Sequence, residues 1–190
     1  EGQYAFVPVV QGLDSPADMV RLSDDTLVIA SRNGGIRRID PVTGEDLGNV
    51  QVLDAEEELL AIALDPRYGD GVHDYLYGFT THTGNLYRWT MGLSPLRFED
   101  QVKVLDIETG GGDGHCGAGM SFWGGETADP TLYLGIGPAA GADPQTTDNL
   151  GQKLLGFQIN DDGTIRNSLS AFDDPLIAAL GLLNPWRVED

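Results

Sequence analysis

At 190 residues and 41 % hydrophobic content, the chain is long enough to bury one core and too apolar to be a disordered acidic tail. A formal net charge of −19 and a pI of about 4.1 oppose binding to phosphate backbones and anionic membrane surfaces, and no apolar run reaches the ~18 residues of a membrane span. The single cysteine, Cys116, excludes an intramolecular disulfide and a thiolate cluster.

In chain order, three segments repeat one layout of strand, turn, strand, short turn, strand. The first covers 18–22, 26–31 and 35–40. The second covers 60–64, 75–81 and 85–90. The third covers 117–123, 131–137 and 153–159. The middle strands read TLVIAS from Thr26, YLYGFTT from Tyr75 and TLYLGIG from Thr131. Such continuous apolar runs fit strands covered on both faces by neighbouring sheets. The third strands, GIRRID, NLYRWT and KLLGFQI, alternate more nearly between apolar and polar, as half-buried antiparallel strands do.

The connectors carry turn chemistry. Asp24-Asp25, Asn33-Gly34-Gly35 and Thr83-Gly84-Asn85 separate strands with residues that tolerate positive φ. Asp161-Asp162-Gly163 has no EF-hand spacing and reads as a plain hairpin turn. The acidic run Glu56-Glu57-Glu58 reads as solvated surface. The middle strands start at 26, 75 and 131, a spacing near that of propeller blades. The expected fold is therefore all-β: about three blades of antiparallel four-stranded sheets, with units near 12–50, 51–107 and 108–170. Residues 171–190 would start a further blade, although the apolar run 175–183 reads equally as a helical turn. A twisted antiparallel sandwich is the competing architecture. A closed propeller needs about four blades or more, so further blades are expected outside this stretch.

Two stretches lack blade character: the glycine-rich loop 109–119 and the polar loop 139–151. Long loops on a rigid scaffold are common places for sites. His115, set among glycines just before an inner strand, is the residue best placed to titrate near neutral pH and act as a base. From its spacing alone, a surface or structural histidine is the weightier reading. Cys116 points to the other side of an extended chain and reads as a small buried residue. His73 and His82 read as exposed bystanders. No phosphate loop, nucleophile elbow or dinucleotide fingerprint is present.

Set in order, several of these pieces resemble the glucose/sorbosone dehydrogenase family. They are Gly12-Leu13-Asp14-Ser15-Pro16, the stretch from Glu58 through Leu59-Leu60-Ala61 to Asp65-Pro66-Arg67-Tyr68, His115-Cys116-Gly117-Ala118-Gly119-Met120, Lys153-Leu154-Leu155 and Asn184-Pro185-Trp186-Arg187. The resemblance implies a six-bladed propeller that oxidises aldose sugars with the quinone cofactor PQQ, fixed by Ca²⁺, in a periplasmic or extracellular setting. It implies His115 as general base, and Glu56, Asp113 and Asn184 near the cofactor. The sequence departs from the pattern where Glu56 replaces a glutamine, Gly114 an acidic residue and Leu183 an arginine. Those departures lend weight to a second reading, a non-catalytic propeller that binds a protein or glycan, as the Hedgehog-interacting proteins illustrate. A calcium-dependent lactonase-like propeller would need converging Glu, Asn and Asp ligands that the chain does not display. The family's calcium loop and basic cofactor ligands fall beyond Asp190.

The acidity has its own reading. The 21 aspartates outnumber the 9 glutamates, and Lys103 and Lys153 are the only lysines. This pattern matches adaptation to high salt, and it also matches a generically acidic extracellular protein.

Overall fold

The computed structural model describes residues 7–107, 118–124, 130–137, 145, 150–168 and 176–180. Three antiparallel sheets follow one another along the chain. The first holds β1 (Pro16–Arg21), β2 (Leu27–Ser31), β3 (Gly35–Ile39) and β4 (Asp46–Gln51) in that order. The second holds β5 (Leu59–Leu64), β6 (Tyr75–Thr80), β7 (Asn85–Leu93) and β8 (Leu96–Asp106). The third holds β9 (Ala118–Trp123), β10 (Thr131–Ile136), β11 (Lys153–Ile159) and β12 (Ile165–Ser168). The one helical element among the described residues is a 3-10 turn at Ala55–Glu57.

The repeat in the sequence is thus a repeat of sheets, each strand pairing with the next. A fourth strand closes each sheet, although the apolar pattern announces only three. Those fourth strands, DLGNVQ in β4 and the charged LRFEDQVKVLD in β8, lie at sheet edges and remain largely exposed. The run 175–183 departs from expectation. Its described part, β13 (Ile177–Leu180), neither turns into a helix nor opens a new sheet. It pairs with β11 along Lys153–Leu155, while β12 takes the same edge along Phe157–Ile159.

Side chains of the second sheet serve two apolar layers, which explains its continuous apolar strands. Toward the first sheet, Leu59, Ile62, Leu76 and Trp89 pack with Val28, Ala30 and Ile36. Toward the third, Ala61, Tyr77, Phe79 and Leu86 pack with Leu132, Leu134, Leu155 and Phe157. Gly78 makes this packing possible, since a Cβ there would lie 2.7 Å from the Trp89 ring and 2.8 Å from Leu59.

The inner strands stand side by side, β1 beside β5 and β5 beside β9. Asp18 ties the first pair, accepting the Ile62 backbone N–H at 2.9 Å. Farther out, the Arg38 guanidinium donates to the Leu93 carbonyl at 3.1 Å. This fan of four-stranded sheets is part of a β-propeller.

The turns hold the register by local side-chain bonds. Asp24 accepts both the backbone N–H and the hydroxyl of Thr26, at 3.1 and 2.6 Å. Asp162 repeats the device on Thr164 at 2.9 and 2.6 Å, so Asp161-Asp162-Gly163 is the hairpin turn its sequence suggests. Gly34 has φ +80°, and a Cβ there would sit 2.6 Å from the Leu53 carbonyl oxygen.

Candidate functional site

The contacts between the second and third sheets orient the molecule. Arg88 of β7 donates to the backbone carbonyls of Asn160 (3.2 Å) and Asp161 (2.9 Å), in the turn after β11. His73, on the connection from β5 to β6, faces Asp161 at 3.3 Å through Nε2. The far ends of β5 and β11 therefore share one end of the molecule. Their near ends, with the β6–β7 hairpin and the start of β9, share the other. Glu56 stands just before β5 at that second end. The chain between β8 and β9, which carries Asp113 and His115, leaves from it and returns to it. Asp113, His115, Cys116 and Asn184 themselves lie outside the described residues.

Of the expected site residues, Glu56 alone is described. It is exposed on the 3-10 turn, while its neighbours do the local work. Glu58, at φ 45°, accepts from Arg32 at 2.7 Å and so ties the second sheet to the first. Glu57 turns inward to the Tyr87 hydroxyl. Burial, with the hydrogen bond to Glu57 next in weight, pushes that phenol up to about 12. The Asn85 side chain donates to the same hydroxyl at 3.1 Å and to Thr83 Oγ1 at 2.8 Å. A charge run that reads as solvated thus divides by position: one glutamate outward, one sideways, one in.

On the third sheet, Lys153 is fully buried at the start of β11, and its Nζ donates to the Gly151 carbonyl at 2.8 Å. A buried ammonium is costly unless hydrogen-bonded or paired, so this lysine is held rather than left to solvent.

Between the inner strands opens a cleft of about 1190 Å³, lined by Met19, Val20, Ala63, Met120 and Phe122 among others. Apolar side chains dominate the described lining, and Asp18 and Arg21 are the charged residues among those described. Arg21 is itself paired with Asp25 at 2.6 Å.

The opposite end carries a second polar cluster, which the sequence does not announce. Asp65, 1 % exposed, takes two parallel hydrogen bonds from the Arg67 guanidinium, both 3.0 Å. His73 is not an exposed bystander: its side chain is 16 % exposed and its Nδ1 meets Asp70 at 2.6 Å. That hydrogen bond, with the backbone N–H groups of His73 and Val72 behind it, pulls the Asp70 carboxyl down to about 2. His82 is exposed, as expected. A pocket of about 170 Å³ lies beside the cluster, lined by Arg67, His73, Gln158, Asp161 and Arg166 among others.

Several solved structures share this architecture. The chain matches the PQQ-bound form of an aldose sugar dehydrogenase from Streptomyces coelicolor with a TM-score of 0.68 and 25 % identity, over 90 % of this chain and 51 % of that one. It matches an oxidoreductase assigned as a glucose dehydrogenase from Thermus thermophilus with a TM-score of 0.69 and 26 % identity, over 93 % of this chain and 55 % of that one. The apo soluble aldose sugar dehydrogenase from Escherichia coli gives 0.65 at 18 % identity, covering 90 % and 52 %, and speaks for the fold alone. The chain spans about half the length of these structures. No protein-family model matches it, and no curated protein matches it by sequence.

Proposed function

We propose that this chain supplies three sheets of a ring-shaped dehydrogenase that oxidises aldose sugars with PQQ, with His115 receiving the proton of the sugar hydroxyl. One observation carries the reading: nine-tenths of the chain superposes on a PQQ-bound aldose sugar dehydrogenase at 25 % identity. The ordered motifs around His115 support it.

When bound, the quinone supplies the acceptor for the two electrons leaving the sugar. Its carboxylates call for cations, and the described lining of the cleft offers only Arg21, already paired with Asp25. The described residues alone therefore do not make a quinone site. Likewise, no three His, Cys, Asp or Glu side chains among them converge as a divalent-metal site would require. In this reading Asp113, His115 and Asn184, together with the remaining sheets of the ring, complete the site. Glu56 stands exposed at the end of the second sheet from which the His115 loop departs.

The test is the completed ring, supplied with PQQ and Ca²⁺ and assayed with aldoses and a redox dye. The expected result is a change in quinone absorbance on binding, then sugar-dependent dye reduction. His115→Gln should keep the absorbance change and lose about 100-fold or more of the dye reduction. A complete protein that shows neither signal overturns the proposal and favours a non-catalytic propeller that binds a protein or glycan.

A further inference from the structure

The turn between β2 and β3 carries the only Asn-Gly pair in the chain, Asn33-Gly34, among seven asparagines. Glycine leaves the amide nitrogen that follows an asparagine open to the side chain, because no Cβ shields it. Here that side chain is folded back over it. Asn33 Oδ1 accepts the Gly35 backbone N–H at 3.0 Å, closing a ring of atoms that passes through the Gly34 nitrogen. The same bond polarises the side-chain carbonyl of Asn33. Its Nδ2 donates to Asp14 at 3.0 Å, so both ends of the amide are assigned. Turning it over would set N–H against N–H and oxygen against a carboxylate. Asn33 itself is partly exposed.

The fold restrains this pair without removing it. The Gly34 N–H is held by the Ser31 carbonyl at 3.0 Å, and the Gly34 carbonyl takes the Val52 N–H at 3.0 Å. The Gln51 side-chain amide donates to the Asn33 and Leu53 carbonyls. Only when the turn opens is the Gly34 nitrogen free to react. A turn at a sheet end opens by local fluctuation, well short of unfolding. Asp14 gives the reaction a consequence. Its bond from Asn33, with the Arg32 N–H on the Ser15 carbonyl at 3.0 Å, fastens the segment before β1 to this turn. The first of those bonds needs an N–H on residue 33.

We propose that Asn33 is a self-modifying site, whose conversion to an acid loosens the segment before β1 from the β2–β3 turn. In the open turn a base removes the Gly34 amide hydrogen, the nitrogen bonds to Asn33 Cγ, and the Cγ–Nδ2 bond breaks. Ammonia leaves and a succinimide ring remains. Water opens that ring at either carbonyl, giving aspartate or isoaspartate; nothing is oxidised or reduced. The product sets a carboxylate against Asp14 where an N–H donor stood, so a hydrogen bond becomes a like-charge contact. The site is independent of His115 and of the sugar reading, and stands or falls separately.

Peptide mapping of the intact chain after storage in mildly alkaline buffer tests it, with pepsin digestion in acid so that the digest itself converts nothing. The mass of an amide turned to an acid should appear at Asn33 before any other asparagine, split between two chromatographic forms. In urea, where the pinned turn is lost, the conversion should run about tenfold faster or more. Asn33→Gln should stay unconverted at that position, since its longer side chain disfavours the ring. These measurements need no variant beyond the wild type to fold. NMR-detected hydrogen exchange reads the consequence at the Arg32 amide, which is bonded to Ser15. Its exchange should speed up several-fold in Asn33→Asp. It should return toward the wild-type rate in the double variant Asp14→Asn with Asn33→Asp, where donor and acceptor have changed places. Another asparagine converting first, equal rates with and without urea, or an Arg32 amide indifferent to Asn33→Asp overturns the proposal. A double variant that exchanges as fast as Asn33→Asp alone does the same.

Discussion

Asp70 shows how one side chain here sets a pH dependence. Its carboxyl is held near 2, chiefly by the His73 imidazole at 2.6 Å, against about 3.9 for an unperturbed aspartate. A depressed folded-state value means that the ionised form is favoured by folding. The stabilisation is full above about pH 4 and fades as the pH falls toward 2. Asp70→Asn should flatten the acid limb of the stability curve within that window and leave the curve near neutrality of similar shape. Urea unfolding at a series of pH values checks this, and an unchanged acid limb would assign it to other carboxylates. The same residues mark where the sequence is least legible. Nothing near His73 announces Asp161, which reaches it only because the second and third sheets stack. Glu57 is likewise hidden inside a run of three glutamates, and only the turn at Ala55–Glu57 separates its direction from theirs. His115, Asp113 and Asn184, by contrast, rest on motif likeness, and the described residues neither support nor displace them.

The strands divide by what covers them. Each strand with an apolar partner sheet is readable from its residues: β2, β6, β10 and β11 lie within a residue or two of the expected ranges. The fourth strands escape because they lie largely exposed at sheet edges: β4 is mostly polar, and in β8 the alternation of Leu96 and Phe98 and of Val102 and Val104 is interrupted by Glu99, Asp100 and Gln101. β13 is ambiguous for the opposite reason. A short apolar run fits a buried strand or a helical turn equally, and pairing with β11 decides it. The packed layers carry the stability. Phe157, fully buried between the second and third sheets, should cost about 3–5 kcal/mol as Phe157→Ala. Phe98→Ala on the outer strand β8, where the ring is only partly buried, should cost clearly less. Denaturant midpoints of the two variants compare them, and equal losses would contradict the layered core.

At the scale of the whole molecule, charge is the dominant fact. A net charge of −19 on 190 residues stores repulsion in the folded state, relieved locally where Arg21, Arg37 and Arg97 meet nearby carboxylates. Added electrolyte shortens the range of that repulsion, from about 10 Å at 0.1 M to about 3 Å at 1 M. The melting temperature should therefore climb with ionic strength, in choline chloride as in sodium chloride. A melting temperature that is flat or falls with salt would show that the acidic surface does not limit stability. Among the described residues no helix is long and apolar enough to cross a membrane.

Arg88 grips the third sheet by main-chain oxygens rather than by side chains. Such a clasp recognises the path of the chain, not the identity of the amino acids along it. The clasp itself does not read the Asn160 and Asp161 side chains; Asp162, bonded to Thr164, and Gly163, at φ +88°, keep the bend in the shape it grips. What must be preserved is the guanidinium and the bend it holds.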